Sequence, residues 1–371
     1  MISASLAASG AILARPALAQ TLVHGAAADL TQIYAASGPF AVETSTDDWL
    51  DTARQRSLPV QLYRPTVRQD FQPTASSARP PNAVAAAVPL VIYSHGLGGS
   101  RAAGKLWCEH WATHGIASLS IQHPGSDREI FRDARGNLGR VREAFRTAFS
   151  LENLILRAQD VSFTITQAQR RIALSAASNS AQATPQDRLW AGISGTLIGV
   201  GGHSFGAQTA LLAAGERRPE LSLRLSDARP LAFLGLSASA RGAQGPNDAS
   251  LASRFGAIRR PFFCITGTED TLTREDVNVE NRSLPYLAMP SGGKALLVLT
   301  GADHMVLGGN PQESLRIFAH GTGDHRVIER QIKLSTLAFW KAHLHNDPEA
   351  RRWQEQHWAA GLGKNGTVAQ K

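Results

Sequence analysis

The sequence predicts an α/β protein with a mostly parallel central sheet and helices on both faces of that sheet. Short apolar runs recur along most of the chain, and helical segments separate them. Continuous apolar runs are typical of strands that are buried on both faces of a parallel sheet. Because parallel neighbours need a crossover connection, each intervening helix predicts a right-handed strand–helix–strand unit. We expect residues 20–371 to form a single domain of this kind.

The first part of this domain departs from the alternation. Residues 38–60 predict two strands joined by a polar turn. The segment Leu58–Pro65 predicts an edge strand, because prolines near both of its ends cannot donate hydrogen bonds to a neighbouring strand. Residues 70–88 are rich in Pro, Ala and Ser, and this composition indicates a surface loop.

Six mostly apolar segments then predict the main strands: Val88–Tyr93, Ile116–Ile121, Thr196–Val200, Leu231–Leu236, Phe262–Ile265 and Lys294–Leu299. Helices are predicted at Ala102–His114, from Leu151 to Ile165, at Ala207–Gly215 and at Arg326–His343. Between the second and third runs lies an arginine-rich stretch, residues 127–149, and residues 176–186 predict a polar loop. We expect residues 127–149 to form a helical cap over the binding site. The alternative is a surface excursion that does not contact a substrate.

Composition narrows the classes of partner. The formal net charge of +8 and the sequence pI of about 10.0 indicate a solvated basic surface, with attraction to anionic surfaces as the alternative. Basic residues do not form a stripe interleaved with aromatic residues, so nucleic-acid binding is not predicted. Apolar stretches fall short of the roughly 18 residues of a membrane-spanning helix, so stable membrane insertion is not predicted either.

Residues 1–19 predict a signal peptide. An apolar run, Leu6–Leu13, precedes Ala17-Leu18-Ala19, which is typical of a cleavage site. We therefore expect an exported protein, periplasmic or secreted, and the alternative is a disordered tail on a cytoplasmic protein. Cys108 and Cys264 could form one disulfide in an oxidising compartment. Each lies in an element that we expect to be buried, so two free thiols are the alternative.

One strand end carries a candidate nucleophile. Gly202-His203-Ser204-Phe205-Gly206 follows an apolar run and precedes a run of small residues with helical character. In this arrangement a tight strand-to-helix turn exposes the serine hydroxyl above the end of the sheet. The glycines allow the close backbone approach that the turn requires. Because so short a motif also occurs by chance, the other strand ends decide whether it carries chemistry.

Two of those strand ends carry the groups that a serine nucleophile needs. His304 follows the last apolar run and can act as the base, and Asp270 follows the run before it and can orient the imidazole. The weaker alternatives are His320 and His325 for the base, and Glu269 and Asp276 for the acid. His203 is excluded as the base, because adjacent residues of a strand point to opposite faces.

Acyl transfer also needs N–H donors for a tetrahedral oxyanion. The backbone N–H of Phe205, which directly follows the serine, is one candidate. The backbone N–H of Leu97, in the loop after Val88–Tyr93, is the second. Gly96, His203 and Met305 are further candidates for the substrate pocket, and we expect His95 to brace the loop.

No metal or cofactor is predicted. Cys108, His110 and His114 share one predicted helix, but the sequence offers no HExxH motif and no clear third ligand beside the two histidines. The paired glycines at residues 98–99 and 201–202 form neither a dinucleotide-binding fingerprint nor a phosphate-binding loop.

With these residues placed, the chain from residue 20 onward resembles the α/β-hydrolase superfamily. More closely, it resembles platelet-activating-factor acetylhydrolases and bacterial dienelactone hydrolase-like esterases. The motifs that carry the resemblance are Ser94-His95-Gly96-Leu97-Gly98, Gly202-His203-Ser204-Phe205-Gly206, Thr266-Gly267-Thr268-Glu269-Asp270 and Gly301-Ala302-Asp303-His304, together with Leu58-Pro59-Val60 and His123-Pro124-Gly125.

The resemblance implies an α/β-hydrolase fold and a serine carboxylic-ester hydrolase that acts through an acyl-enzyme, without a cofactor. Its substrates would be small-molecule esters with small to medium acyl groups, including acetylated lipids. An amidase or peptidase with the same triad, and a catalytically silent binding protein of this fold, are the alternatives. True dienelactone hydrolases have a cysteine where this chain has Ser204, so lactone hydrolysis is not implied.

Overall fold

The computed structural model describes residues 30–67, 87–134, 137–177, 184–271, 277–310 and 321–371. The predicted signal peptide lies outside these ranges. The same holds for residues 70–86 of the first predicted loop, for residues 178–183 of the second, and for the alternative site residues Asp276 and His320.

One sheet runs through the described part of the chain, with its strands in the order β1-β2-β4-β3-β5-β6-β7-β8-β9. The strands are β1 Ala41–Asp51, β2 Arg56–Thr66, β3 Val88–Ser94, β4 Ala117–Ile121, β5 Ile193–His203, β6 Ala232–Leu236, β7 Phe262–Glu269, β8 Lys294–Asp303 and β9 Gly366–Gln370. The pairings from β4 through β3, β5, β6 and β7 to β8 are parallel, and those of β1–β2, β2–β4 and β8–β9 are antiparallel. The predicted α/β class and the mostly parallel sheet are therefore confirmed.

Helices cover both faces of the sheet, as predicted. They are α1 Lys105–Thr113, α2 Leu138–Ala148, α3 Leu151–Ala177, α4 Pro185–Arg188, α5 Phe205–Ala214, α6 Ser250–Phe255, α7 Val279–Ala288, α8 His325–Leu344, α9 Pro348–Gln356 and α10 Trp358–Leu362. One apolar core contains Trp111 of α1 and Trp340 of α8, and a second core contains Ile165 of α3 and Leu211 of α5. The sheet separates these two cores.

The prediction that Leu58–Pro65 is an edge strand is wrong, because β2 lies between β1 and β4. The ladder between β2 and β4 covers only Val60 to Tyr63, so both prolines lie beyond it. Pro59 still accepts a hydrogen bond there, because its carbonyl receives the Gln122 N–H at 2.8 Å. A proline that lies beyond a short ladder costs that ladder no hydrogen bond. An interior strand can therefore contain a proline at such a position.

The two cysteines are buried and unbonded. Cys108 belongs to one of the two cores and Cys264 to the other, so the sheet lies between them. The free-thiol alternative is therefore confirmed, and the disulfide is excluded. Among the described helices, none combines the length and the apolar character that crossing a membrane would require.

The arginine-rich excursion is helical, with a 3-10 segment at Arg128–Ala134 followed by α2. Its last residue, Phe149, packs on Phe205 with ring centroids 4.5 Å apart. Its Phe131 lies against the loop after β3, where a Cβ at Gly98 would come within 2.6 Å of the phenyl ring. These contacts place the excursion over the same edge of the sheet that carries the candidate site.

Candidate active site

Three candidate residues meet at one edge of the sheet because each directly follows a parallel strand. Ser204 follows β5, Asp270 follows β7, and His304 follows β8. The carboxyl ends of parallel strands lie at the same edge, so residues far apart in the sequence become neighbours there. The structure brings together the three side chains for which the sequence predicted a common site.

Ser204 is held at a sharp turn between β5 and α5. Its backbone has φ 55° and ψ −114°, which is unusual for a residue with a side chain. Its N–H donates to the Leu236 carbonyl at 2.8 Å, which ties the turn to β6. A Cβ at Gly202 would lie 2.5 Å from the carbonyl carbon of Gly206, so the two glycines of the motif are needed for the backbones to approach.

A continuous chain of hydrogen bonds joins the three residues. Ser204 Oγ lies 2.9 Å from His304 Nε2, and His304 Nδ1 lies 2.8 Å from Asp270 Oδ1. Asp270 is fully buried. Burial alone would raise the pKa of Asp270, but the hydrogen bond with His304 and the charge of Arg282 lower it to about 2. The carboxylate is therefore ionised at neutral pH and can hold the imidazole in the Nδ1–H tautomer.

The competing residues do not take these positions. Glu269, the alternative acid, accepts hydrogen bonds from the backbone N–H and the hydroxyl of Thr322. His325, an alternative base, is the first residue of α8. Asp270 also accepts a hydrogen bond from the Thr266 hydroxyl at 2.9 Å, so both of its carboxylate oxygens have partners.

Arg282 is a member of this site that the sequence analysis did not predict. It lies on α7, and its Nε is 2.9 Å from Asp270 Oδ1. Its Nη1 donates to the Ser237 carbonyl at 2.7 Å, and its Nη2 lies 3.1 Å from His304 Nδ1. In the sequence it stands between Asn281 and Ser283, so no pattern distinguishes it from a surface arginine.

The two predicted oxyanion donors lie beside the serine. The N–H of Phe205 is the first of α5, so it has no acceptor within the helix. A Cβ at Gly96 would lie 3.4 Å from the Cβ of Ser204, so the loop that carries Leu97 directly adjoins the nucleophile. The Gly98 N–H donates to the Ser126 carbonyl. Within the described ranges, neither the Leu97 nor the Phe205 N–H has a protein acceptor.

The remaining predicted pocket residues differ in their contacts. The His203 Nε2–H donates to the His304 carbonyl at 2.8 Å, so this residue braces the candidate base. Burial and the neighbouring charge of His304 lower the pKa of His203 to about 3. Met305, half-buried, follows His304, and its N–H donates to Asp303. His95 accepts the His123 N–H at 3.0 Å, which confirms its expected bracing role.

The histidines of α1 have structural contacts. His110 Nε2 and His114 Nε2 each lie 2.9 Å from a backbone carbonyl, of Tyr34 and Ala36 respectively. In the part of the chain that the structure describes, no three His, Cys, Asp or Glu side chains are grouped so that they could hold a metal ion.

No protein-family model matches the chain, and no curated protein matches it in a sequence search.

Proposed function

We propose that this protein is a serine carboxylic-ester hydrolase with the α/β-hydrolase fold. The observation that carries the proposal is the relay from Ser204 through His304 to Asp270, with hydrogen bonds of 2.9 and 2.8 Å. Each member stands directly after one of the parallel strands of a single sheet, in the chain order nucleophile, acid, base. That order and placement are typical of α/β-hydrolases.

In the first half-reaction Ser204 Oγ attacks the ester carbonyl carbon, and its proton passes to His304 Nε2. The imidazolium that forms is stabilised by the buried carboxylate of Asp270, which stays ionised. The carbonyl oxygen becomes an oxyanion and accepts hydrogen bonds from the N–H groups of Leu97 and Phe205. Collapse of the intermediate breaks the ester C–O bond, and His304 gives the proton to the leaving alcohol.

In the second half-reaction water replaces the serine as the nucleophile. His304 takes a proton from the water, and the resulting hydroxide adds to the acyl carbon. The same two N–H groups receive the oxyanion again. When the acyl–oxygen bond to Ser204 breaks, His304 returns the proton to Ser204 Oγ, and a carboxylic acid leaves.

Esters with small to medium acyl groups, including acetylated lipids, are the substrate class that we propose. Leu97, Phe149 and Phe205 belong to one apolar cluster beside the serine. We expect Leu97, Phe205 and Met305 to line the acyl pocket, and Phe149 to close it from the side of the helical excursion. An apolar wall binds the acyl chain by burying its apolar surface, and it does not distinguish the leaving alcohol.

Hydrolysis of p-nitrophenyl acetate by wild type and by Ser204→Ala tests the proposal. We expect Ser204→Ala to lose at least about 10³ of the rate, because the nucleophile of the relay is removed. Ser253→Ala is the matched control, because the Ser253 hydroxyl only donates to the Ser250 carbonyl on the surface. Equal rates for wild type and Ser204→Ala would contradict the proposal.

Labelling with a fluorophosphonate, followed by peptide mass spectrometry, identifies the reactive serine directly. We expect an adduct on Ser204. Faster cleavage of a matched p-nitroanilide than of the ester would favour the amidase alternative. A folded wild-type protein without any adduct would favour the silent binding protein.

A further inference from the structure

A single buried arginine joins the two sides of the candidate oxyanion hole. Arg157 lies on α3 and has no exposed surface. It contacts the loop after β3 and the helix after the serine through hydrogen bonds and through one stacked aromatic ring. Arginine side chains are rarely buried to this degree unless their charge has partners, so the groups around Arg157 indicate what it does.

On the loop side, Arg157 Nη2 donates to the His95 carbonyl and, at 3.1 Å, to the Ser94 hydroxyl. The His95 carbonyl immediately precedes Gly96-Leu97 in the chain. Arg157 Nη1 donates to the Ser126 hydroxyl at 2.9 Å. The Ser126 carbonyl in turn receives the Gly98 N–H at 2.9 Å, so the guanidinium is tied to both ends of the turn that presents Leu97.

On the helix side, Arg157 Nε donates to the Thr209 hydroxyl at 3.0 Å. That hydroxyl donates to the Phe205 carbonyl at 2.9 Å. The guanidinium carbon also lies 4.6 Å from the centroid of the Phe205 ring. One rigid planar cation therefore fixes Phe205 from two directions while it holds the Leu97 turn.

A second Ser–His–Asp arrangement lies beneath Arg157. Ser94 Oγ is 2.9 Å from His123 Nε2, and His123 Nδ1 is 2.9 Å from Asp160 Oδ2. All three side chains are fully buried, so a substrate does not reach them. Burial alone would raise the pKa of Asp160, but His123 and Arg56 lower it to about 2. This arrangement is a charged scaffold that anchors the Ser94 hydroxyl on which Arg157 rests.

We propose that Arg157 is a positioning residue that fixes the separation of the Leu97 and Phe205 N–H donors. The inference rests on the proposed ester hydrolysis and deepens it. If the two donors lose their common support, the substrate still binds, but the tetrahedral oxyanion loses hydrogen bonds that only it makes fully. Removal of one oxyanion donor typically costs about 10²–10³ in kcat.

Arg157→Met and Arg157→Lys test this role on a p-nitrophenyl ester. We expect Arg157→Met to lower kcat by about 10²-fold while KM changes by less than about threefold. Arg157→Lys keeps a cation but cannot bridge four acceptors in one plane, so we expect about a tenfold loss or more. The affinity for a short alkyl trifluoromethyl ketone, which adds to Ser204 and places an oxyanion between the donors, should fall in parallel with kcat.

Arg229→Met is the matched control. Arg229 also fastens onto α3, through the Ser162 carbonyl at 2.8 Å and the Thr166 hydroxyl at 2.8 Å. It precedes β6, at the opposite end of the sheet from Ser204. We expect this variant to keep the kcat and the ketone affinity of wild type, whatever its effect on the melting temperature.

The outcomes separate the two proposals. Folded Arg157 variants with wild-type kcat and ketone affinity would overturn the positioning role while ester hydrolysis by Ser204 stands. A rise in KM alone would also overturn it, because that indicates lost substrate binding. If Arg157→Met does not fold, Arg157→Lys decides. Equal rates for wild type and Ser204→Ala would remove the proposed function and this inference with it.

Discussion

Gly206→Ala should disrupt the candidate site by steric overlap alone. Gly206 is the second residue of α5 and passes directly over the end of β3. A Cβ there would overlap the Ser94 carbonyl oxygen, and it would lie 2.6 Å from the Ser94 carbonyl carbon and 2.9 Å from the His95 carbonyl oxygen. Every one of these atoms is backbone, so no side chain can rotate away to make room.

Two effects of this substitution oppose each other. Alanine is a better helix former than glycine by about 1 kcal/mol, which would stabilise α5. An added methyl group in a tightly packed interior costs about 1–3 kcal/mol even where side chains can adjust. Because the added Cβ meets backbone atoms here, we expect the upper end of that range. The cost of the overlap therefore exceeds the gain in helix propensity. Relief requires α5 or the end of β3 to move by about 1 Å, and such a displacement of catalytic groups can cost about 10²-fold in rate.

The assay combines urea unfolding with the rate of fluorophosphonate labelling at Ser204. Gly195→Ala is the matched control in β5, because its nearest neighbour, Gln169 Cγ, would lie 3.7 Å from the new Cβ. We expect the control to label at the wild-type rate and to lose no stability. Wild-type stability and labelling for Gly206→Ala would refute the argument that this glycine is required by close approach.

Three further perturbations follow from the structure. Arg282→Met leaves the buried Asp270 without its ion pair, and the free energy of unfolding should fall by about 3–5 kcal/mol in urea. Phe149→Ala removes the ring that packs on Phe205, and kcat/KM for a hexanoyl ester should fall about tenfold more than for an acetyl ester. Acidification should destabilise the fold from about pH 6.5 downward, measured as unfolding free energy against pH, because burial lowers the folded-state pKa of several histidines below the unfolded value of about 6.5. These histidines are His95, His110, His114, His123, His203, His343 and His345.

Each of these predictions has a control variant or a result that would contradict it. Arg326→Met removes an exposed ion pair with Asp324 and should change stability by less than about 0.5 kcal/mol. A uniform loss across acyl lengths for Phe149→Ala would show that the ring does not form the acyl wall. Below about pH 6.5 the unfolded chain binds protons that the folded chain does not bind. Each such histidine therefore lowers the free energy of unfolding by up to about 1.4 kcal/mol per pH unit. The double variant His110→Gln/His114→Gln should therefore have a shallower slope, and a flat profile between pH 7 and 5 in wild type would contradict the reasoning.

The sequence predicted the sheet best where both faces of a strand are buried, because such burial shows in the sequence as a run of apolar residues. Strands covered on both faces are mostly apolar, so β3, β6 and the start of β7 were each visible as apolar runs. β4 was visible less clearly, because it contains the buried Ser118 and Ser120. The predicted ends of the strands were less accurate. β5 extends to His203, beyond the predicted end at Val200, because its last residues before His203 are glycines that hydrogen-bond like other residues without adding apolar character.

The candidate relay was predictable because each of its members lies a few residues after a predicted strand, and each directly follows the strand that the structure shows. Its supports were not. Arg157 and Arg282 contact the site from α3 and α7, and their buried state depends on partners that no local pattern reveals. The same limit applies to β9, whose five mostly exposed residues carry no apolar alternation and join the sheet through pairing with β8.

At Ser204, whose backbone has φ 55°, the conformation that the proposed chemistry needs lowers the stability of the fold. A residue with a side chain held in such a sparsely populated conformation costs the fold about 1–3 kcal/mol, and glycine would relieve this cost. Selection for thermostability alone would therefore replace the residue on which the proposed chemistry depends. In return, the hydroxyl already stands above the end of the sheet before a substrate binds, so the proposed reaction needs no reorganisation of the turn that carries Ser204.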